Sequence, residues 1–488
     1  MRRILLGFQA TLLALLGVPG ASIAWEVRLD DDSACTYAVE RDGAGDVLAG
    51  SGAGLVKLDR GSGAVVWRRD FEFPPLAIAS LPGNDVIVGD DDSVLRLASA
   101  TGSVVWTHAL PFRQVPSVVA LDGSGSVFVA ITILATGSIP PQIAVRKLDA
   151  ATGSLVWEEI VAFTERGVGE RGLAIAPNGD VVVAGTAVSG FGESVVTVRR
   201  LAGATGHEVW RTDIDGGGPE DATSVHQVIL DAAGDVLVGG YIGNPTTTDL
   251  AFLKLAGGTG VELWRHEIDG VRPGAGPTEA LVANTPDGDV MVGGVVNDTL
   301  VGPRGHHIAF ARLDGATGAA VWSDTIDESG PTVSERLIAL LVDAAGNLYL
   351  SGSVVIPPTV AVPADVVFAF SGADGSLRWR QDRPGRVTNA DGFLAGTRAA
   401  LGPDDELAVG TCEAIRPLPG ADEVVGVVAT LTRDGADPLA GSTLIVADRA
   451  GRPSSRSVKL TRRSAPTSTS ASVPTHASAV ASSSCATQ

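Results

Sequence analysis

Seven of the eight tryptophans in this 488-residue chain stand four residues after a glycine, at Gly63/Trp67, Gly102/Trp106, Gly153/Trp157, Gly206/Trp210, Gly260/Trp264, Gly318/Trp322 and Gly375/Trp379. Successive tryptophans of that series are 39 to 58 residues apart. That period is the size of one four-stranded propeller blade. Ahead of each phrase lies an apolar run, a turn and a second run ending in a small residue, as in 173–185 and 279–294, with Asn178-Gly179 and Asp287-Gly288 at the turns. Short valine-rich runs around such dipeptides read as antiparallel hairpins. The glycine supplies the positive φ that a tight turn demands. Related turns centre on Gly45, Gly83, Gly125, Gly234 and Gly346, and the last, Pro403 to Glu406, uses Asp instead.

These are eight hairpins against seven Gly-x-x-x-Trp phrases. The eighth tryptophan, in Trp25-Glu26-Val27-Arg28-Leu29-Asp30, matches the segment Trp210 to Asp215 and reads as an outer strand without its own blade. The last hairpin, near 397–410, and the run Val424 to Thr432 lack an outer strand. The expected fold is therefore all-β: an eight-bladed propeller of four-stranded antiparallel blades, closed by the N-terminal strand completing the last blade. Closure removes unpaired sheet edges. A seven-bladed ring with a stray N-terminal strand is the competing arrangement. Trp25, Trp67, Trp106, Trp157, Trp210, Trp264, Trp322 and Trp379 are expected to pack between neighbouring sheets, each N–H bonded to local backbone.

The segments Leu148-Asp149-Ala150-Ala151-Thr152-Gly153-Ser154-Leu155-Val156-Trp157 and Leu313-Asp314-Gly315-Ala316-Thr317-Gly318 with Trp322 resemble the tryptophan-docking repeat of the pyrroloquinoline-quinone (PQQ)-like propeller superfamily. The likeness runs from Trp25 to about Asp448. It implies a fold more than an activity, because that superfamily holds quinoprotein dehydrogenases as well as outer-membrane assembly scaffolds. The dehydrogenases use adjacent cysteines over the quinone, a calcium set of Glu, Asn and Asp, and a catalytic Asp. No two of Cys35, Cys412 and Cys485 are adjacent, and no Cys-x-x-Cys-His is present. No catalytic residue, metal site or cofactor is expected; PQQ with calcium is the alternative that the resemblance carries.

Residues 1–24 read as an export signal: Arg2 and Arg3, an apolar run from Ile4 to Val18, then Ser22-Ile23-Ala24. The apolar run is shorter than the roughly 20 residues that span a bilayer, and no transmembrane span is expected. A periplasmic or extracellular location follows. Residues 25–448 are the expected propeller and 449–488 a disordered tail rich in Ser, Thr and Ala. Leaving out Arg2, Arg3 and the five basic residues from Gly451 onward, 29 Lys and Arg face 56 Asp and Glu, a net charge of −27. That argues against nucleic acid and anionic membranes as partners and for a soluble monomer.

Cys35 opens the first blade and Cys412 follows the second strand of the last, so export would permit a disulfide across the seam; two free thiols are the other reading. In six blades the stretch from the end of the second strand to the end of the third spans 15 to 21 residues, against 8 in the first two (Gly50 to Leu58, Gly89 to Leu97). Added length on one face is where recognition resides, and a horseshoe rim open above the first two blades is expected. Glu170, Arg171, Glu279, Glu335 and Arg336 fall just before innermost strands, near the channel mouth. They read as ligand-binding candidates for a sugar, peptide or cation, or else as salt bridges ordering the crossovers. Asp30 to Asp32 and Asp90 to Asp92 lack calcium-loop spacing. His306-His307 point apart in an extended chain, and Gly216 to Gly218 precede no helix. The function expected is that of a non-enzymatic binding scaffold for an envelope protein or polymer. The alternatives are a quinoprotein-like or hydrolytic enzyme at the acidic channel mouth, and a cell-wall-associated structural protein.

Overall fold

A computed structural model describes residues 22–29; residues 36–432 except 52–53, 73–74, 76, 135–141, 164–167, 189–193, 215–222, 244–246, 270–278, 298–305, 327–335, 356–362, 384–397, 402–406 and 419–420; and the short stretches 443–447 and 458–459. The chain is an all-β propeller of four-stranded antiparallel blades. The second strands are buried on both faces, as at Val47–Ser51 and Val236–Gly243, because each sheet is sandwiched between neighbours, while innermost strands such as Gln114–Leu121 are mostly half-buried. Outer strands alternate: in Glu208–Ile214 the Trp210 side turns inward and the charged side faces water.

The described strands form seven hydrogen-bonded sheets, not the eight that the repeat count predicts. The difference lies at 168–268, where the meanders 168–214 and 224–268 join as one eight-stranded sheet through a parallel pairing of Arg171 with Gln227. The register break between Val168 and Leu173 takes Arg171 out of its own ladder, whereas Gln227 stays paired with Gly239 and offers its other edge. A bulge leaves its residue unpaired within its own strand pair, and here the freed Arg171 meets that edge of Gln227 across the boundary.

Ser22–Leu29 pairs antiparallel with Ala421–Thr432, Trp25 opposite Thr430. Thr443–Ala447 adds in parallel outside it, Val27 opposite Ile445, and Val458–Lys459 pairs with Thr443–Ala447. The closing sheet thus has six strands rather than four. One short strand lies inside the stretch 449–488, where the sequence suggests disorder. The added strands occupy the backbone edge that Ser22–Leu29 would otherwise expose.

Neighbouring repeats are locked on the short-turn face. Trp25, Trp67, Trp106, Trp157, Trp210, Trp264 and Trp322 donate Nε1–H to the carbonyls of Arg60, Ser99, Ala150, Gly203, Gly257, Gly315 and Gly372 at 2.7–3.1 Å. These acceptors are not local backbone: each lies 32 to 51 residues on, in the next repeat, because the indole crosses the gap between sheets. The ring comes to rest on that repeat's glycine. A Cβ on Gly153 would stand 2.6 Å from Trp106 Cε3, and Gly153 has φ +72. Trp379 differs: its Nε1 meets no acceptor among the described residues.

Candidate binding face

First and third turns of each repeat pack on each other. A Cβ on Gly203 or Gly372 would fall 1.7 or 1.8 Å from the carbonyl oxygens of Gly179 and Gly346. Second turns and the connections between repeats therefore share the opposite face. The second turn spans only Ser51 to Gly54 in the first repeat and Gly89 to Ser93 in the second. Elsewhere much of the extra length is strand rather than loop. Leu407–Leu418 and Ala421–Thr432 are 12 residues each, and Val236–Gly243 and Thr248–Leu255 are 8 each. Backbone pairing propagates up the hairpins once both edges are extended, so the rim is built of ribbons of unequal height.

The sequence-predicted residues stand at the starts of innermost strands. Glu170 and Arg171 are on Val168–Ile175, where only their backbone is described. Glu279 is half-buried and its carbonyl accepts from Val295 N at 3.3 Å. Arg336 is half-buried and opposes Ser353. Glu279 and Arg336 each already engage another group of the protein. Glu335, Cys35, Asp30 to Asp32 and Gly216 to Gly218 lie outside the described residues, and Cys412 is described by its backbone alone, opposite Gly426. His306 opposes Asn297 and His307 opposes Val296, as neighbours on the strand His306–Leu313. Among the described residues no three His, Cys, Asp or Glu side chains gather as a metal site. The quinone chemistry that the fold superfamily implies finds no adjacent cysteines here.

Strong charge pairing occurs on the short-turn face instead, a pattern that sequence reasoning missed. Lys57 binds Asp42 at 2.6 Å and Asp46 at 3.2 Å; Arg96 binds Asp85, Arg200 binds Asp180, Lys254 binds Asp231, and Arg312 binds Asp289. Arg96, Lys147, Arg200, Lys254 and Arg312 also donate to the carbonyl that receives the tryptophan, at 2.6–3.0 Å. One carbonyl therefore accepts two donors from the preceding repeat. The legible signal was the cation immediately before the residue closing each third strand (Lys57-Leu58, Arg96-Leu97, Lys147-Leu148, Arg200-Leu201, Lys254-Leu255, Arg312-Leu313), which lapses at Ala369-Phe370. There Tyr349 Oη donates to Asp343 at 3.1 Å.

On the opposite face the low sector is acidic. Burial pushes the Asp90 carboxyl up, and Asp92, Asp91 and Glu72 nearby add to the rise against a hydrogen bond from Asp91 N. Beside it Phe112 is 91% exposed, the most exposed large apolar side chain among the described residues.

A family model described as outer membrane protein assembly factor BamB matches residues 22–188 and 141–356. No curated protein matches the chain. Among solved structures, a protein of unknown function from Bacteroides caccae is 12% identical over 68% of this chain and 90% of its own, with a TM-score of 0.35. The α-L-arabinofuranosidase Arb93A from Fusarium graminearum is 13% identical over 64% and 91%, with a TM-score of 0.38. Drosophila Plexin A, in complex with Semaphorin 1b, is 9% identical over 87% and 89%, with a TM-score of 0.39. With its repeated strands and the two overlapping matches, the chain belongs to the PQQ-like β-propeller repeat family of the outer membrane protein assembly factor BamB.

Proposed function

We propose that this protein is an exported, non-enzymatic binding scaffold that engages an envelope protein or polymer across its hairpin-bearing face. The observation that supports the reading is the contrast between the two faces. One is closed by the same turn, tryptophan and cation in repeat after repeat. The other varies from a connection between Ser51 and Gly54 to ribbons of 12-residue strands. Invariant packing holds a scaffold still while connections free of that packing diversify. The family's link to outer membrane assembly favours an envelope setting, as does the signal-like stretch 1–24. Among the described residues no helix is long and apolar enough to cross a membrane. The same setting permits a Cys35–Cys412 disulfide.

The test is photo-crosslinking from the hairpin face in living cells, with the intact chain and with variants in which 297–306 and 355–363 are replaced by two-residue turns. Loss of a discrete crosslinked partner on trimming supports the reading. An unchanged adduct pattern overturns it. Addition of PQQ and calcium to the purified protein is expected to leave its absorbance unaltered and to produce no dye-linked alcohol oxidation.

A further inference from the structure

The low sector carries a feature that packing within the ring does not explain. Between the outer strand Val104–Ala109 and the inner strand Gln114–Leu121 the chain makes a tight turn at Pro111-Phe112-Arg113. Its backbone is pinned three ways: Leu110 N to Asp92 O at 2.7 Å, Gln114 N to Pro111 O at 3.1 Å, and Leu134 N to Arg113 O at 2.9 Å. Arg113 adopts φ +71, one of two non-glycine residues with positive φ among the described residues. The result is a phenyl ring held out in water at 91% exposure, with Leu134, 43% exposed, fixed to the same turn. Folding alone gives no reason to hold an aromatic ring there, since burying one releases about 1.5–3 kcal/mol.

The surroundings define what would cover it. Leu134 follows the seven-residue second strand Val127–Ile133 of the third repeat, whereas the Asp90–Ser93 turn follows the four-residue second strand Val86–Gly89 of the second, so Phe112 and Leu134 form an apolar corner at a step in the rim. The floor of the step is acidic: Asp91, Asp92 and Glu72 are exposed, and Asp90 is half-buried among them. An exposed apolar corner beside exposed carboxylates suits an extended chain. In such a chain residues two apart share a side and lie roughly 7 Å from each other, which allows one to meet the phenyl ring while the next meets a carboxylate.

We propose that this step is a docking site for an extended polypeptide segment carrying, on one side, an apolar side chain and a Lys or Arg two residues away. Phe112 and Leu134 take the first, and the Asp91, Asp92 and Glu72 carboxylates take the second. The proposal rests on the reading of this face as the binding face and names its peptide-recognising part. Central aromatic anchors ringed by polar groups carry most of the affinity in such contacts.

The test uses fluorescein-labelled peptides of three Lys-Ser-Leu-Ser repeats, with the full-length chain, read by fluorescence anisotropy. Phe112→Ala is expected to weaken binding by about tenfold or more. Asp91→Asn with Asp92→Asn is expected to weaken it about fivefold and to reduce its salt dependence. Peptides with Ser for Leu, or Glu for Lys, are expected to bind at least about tenfold more weakly. Glu262→Gln with Glu267→Gln, on the outer strand Glu262–Ile268, is expected to change nothing and controls for general attraction to an acidic protein. An unchanged melting temperature shows that the exposed Phe112 site has been altered in a folded protein. Equal binding by Phe112→Ala, or an equal loss in the Glu262/Glu267 control, overturns the proposal. If that happens while hairpin trimming still abolishes the crosslinked partner, the broader reading of the face stands and only this docking site falls.

Discussion

The indole of Trp210 lies across Gly260 of the following repeat. Its Nε1 donates to Gly257 O at 2.8 Å, and a Cβ on Gly260 would stand 2.6 Å from both Trp210 Cε3 and Thr212 Oγ1. Glycine and tryptophan of one phrase are therefore not partners. Each glycine is the seat for the tryptophan of the repeat before it, and the φ of +71 at Gly260 turns its bare face to the ring.

That seat predicts a coupled pair of substitutions. Trp210→Ala should cost about 3–5 kcal/mol. Gly260→Ala should cost more than the roughly 1–2 kcal/mol of a left-handed alanine, because its Cβ meets the indole. In the double variant the contact with the ring is gone while that with Thr212 Oγ1 remains, so the costs should fall short of additive by about 1 kcal/mol. Chemical denaturation of the four proteins measures this.

Lys57 and Asp42 form a buried ion pair with side chains 4% and 0% exposed. Lys57→Met should cost about 3–5 kcal/mol by leaving Asp42 charged and unpaired. Adding Asp42→Asn should recover a substantial part of the loss, a sign readable in urea midpoints.

Closure by Ser22–Leu29 predicts complementation. Trp25 donates to Arg60 O at 2.8 Å and sits on Gly63. A chain beginning at residue 30 should melt at lower temperature and regain stability when a peptide of residues 22–29 is supplied. The same peptide with Trp25→Ala should fail. Calorimetry with and without peptide decides.

Two histidines give a pH signature. Burial lowers the pKa of His108, whose ring nitrogen meets Gly153 O at 2.9 Å, and of His266, in both cases against a hydrogen bond that favours the proton. The unfolded chain then binds protons more readily than the folded one. Stability should be full above the ordinary histidine value of about 6.5 and decline as pH falls from there through the lower folded values. Melting temperatures from pH 8 to 5 should show that decline, and His108→Gln with His266→Gln should flatten it.

The proposed disulfide is checked by peptide mapping without reductant. The expected outcome is a Cys35–Cys412 crosslink with Cys485 free; in the chain-entropy account a loop of this length contributes about 4–5 kcal/mol on closure. Recovery of all three cysteines as thiols from exported protein defeats it.

Period and composition alone determined the strands, their hairpin turns and the docking of Trp25 beside the last repeat, because these depend on local φ preferences and on which residues must leave water. The cation before each third-strand leucine was equally visible as text, but its meaning was not. A lysine on a strand looks solvated until the first turn of its own repeat brings two aspartates to it and the neighbouring sheet a carbonyl, as at Lys254. Distance in sequence hid the acceptors of seven indoles for the same reason. Only the tertiary structure decided that 168–268 joins as one sheet through Arg171 and Gln227, that long second turns rise as paired ribbons, and that Phe112 stands uncovered in an acidic step. Each of those depends on how closely two separately formed segments approach, a quantity set by packing across the ring rather than by either segment alone.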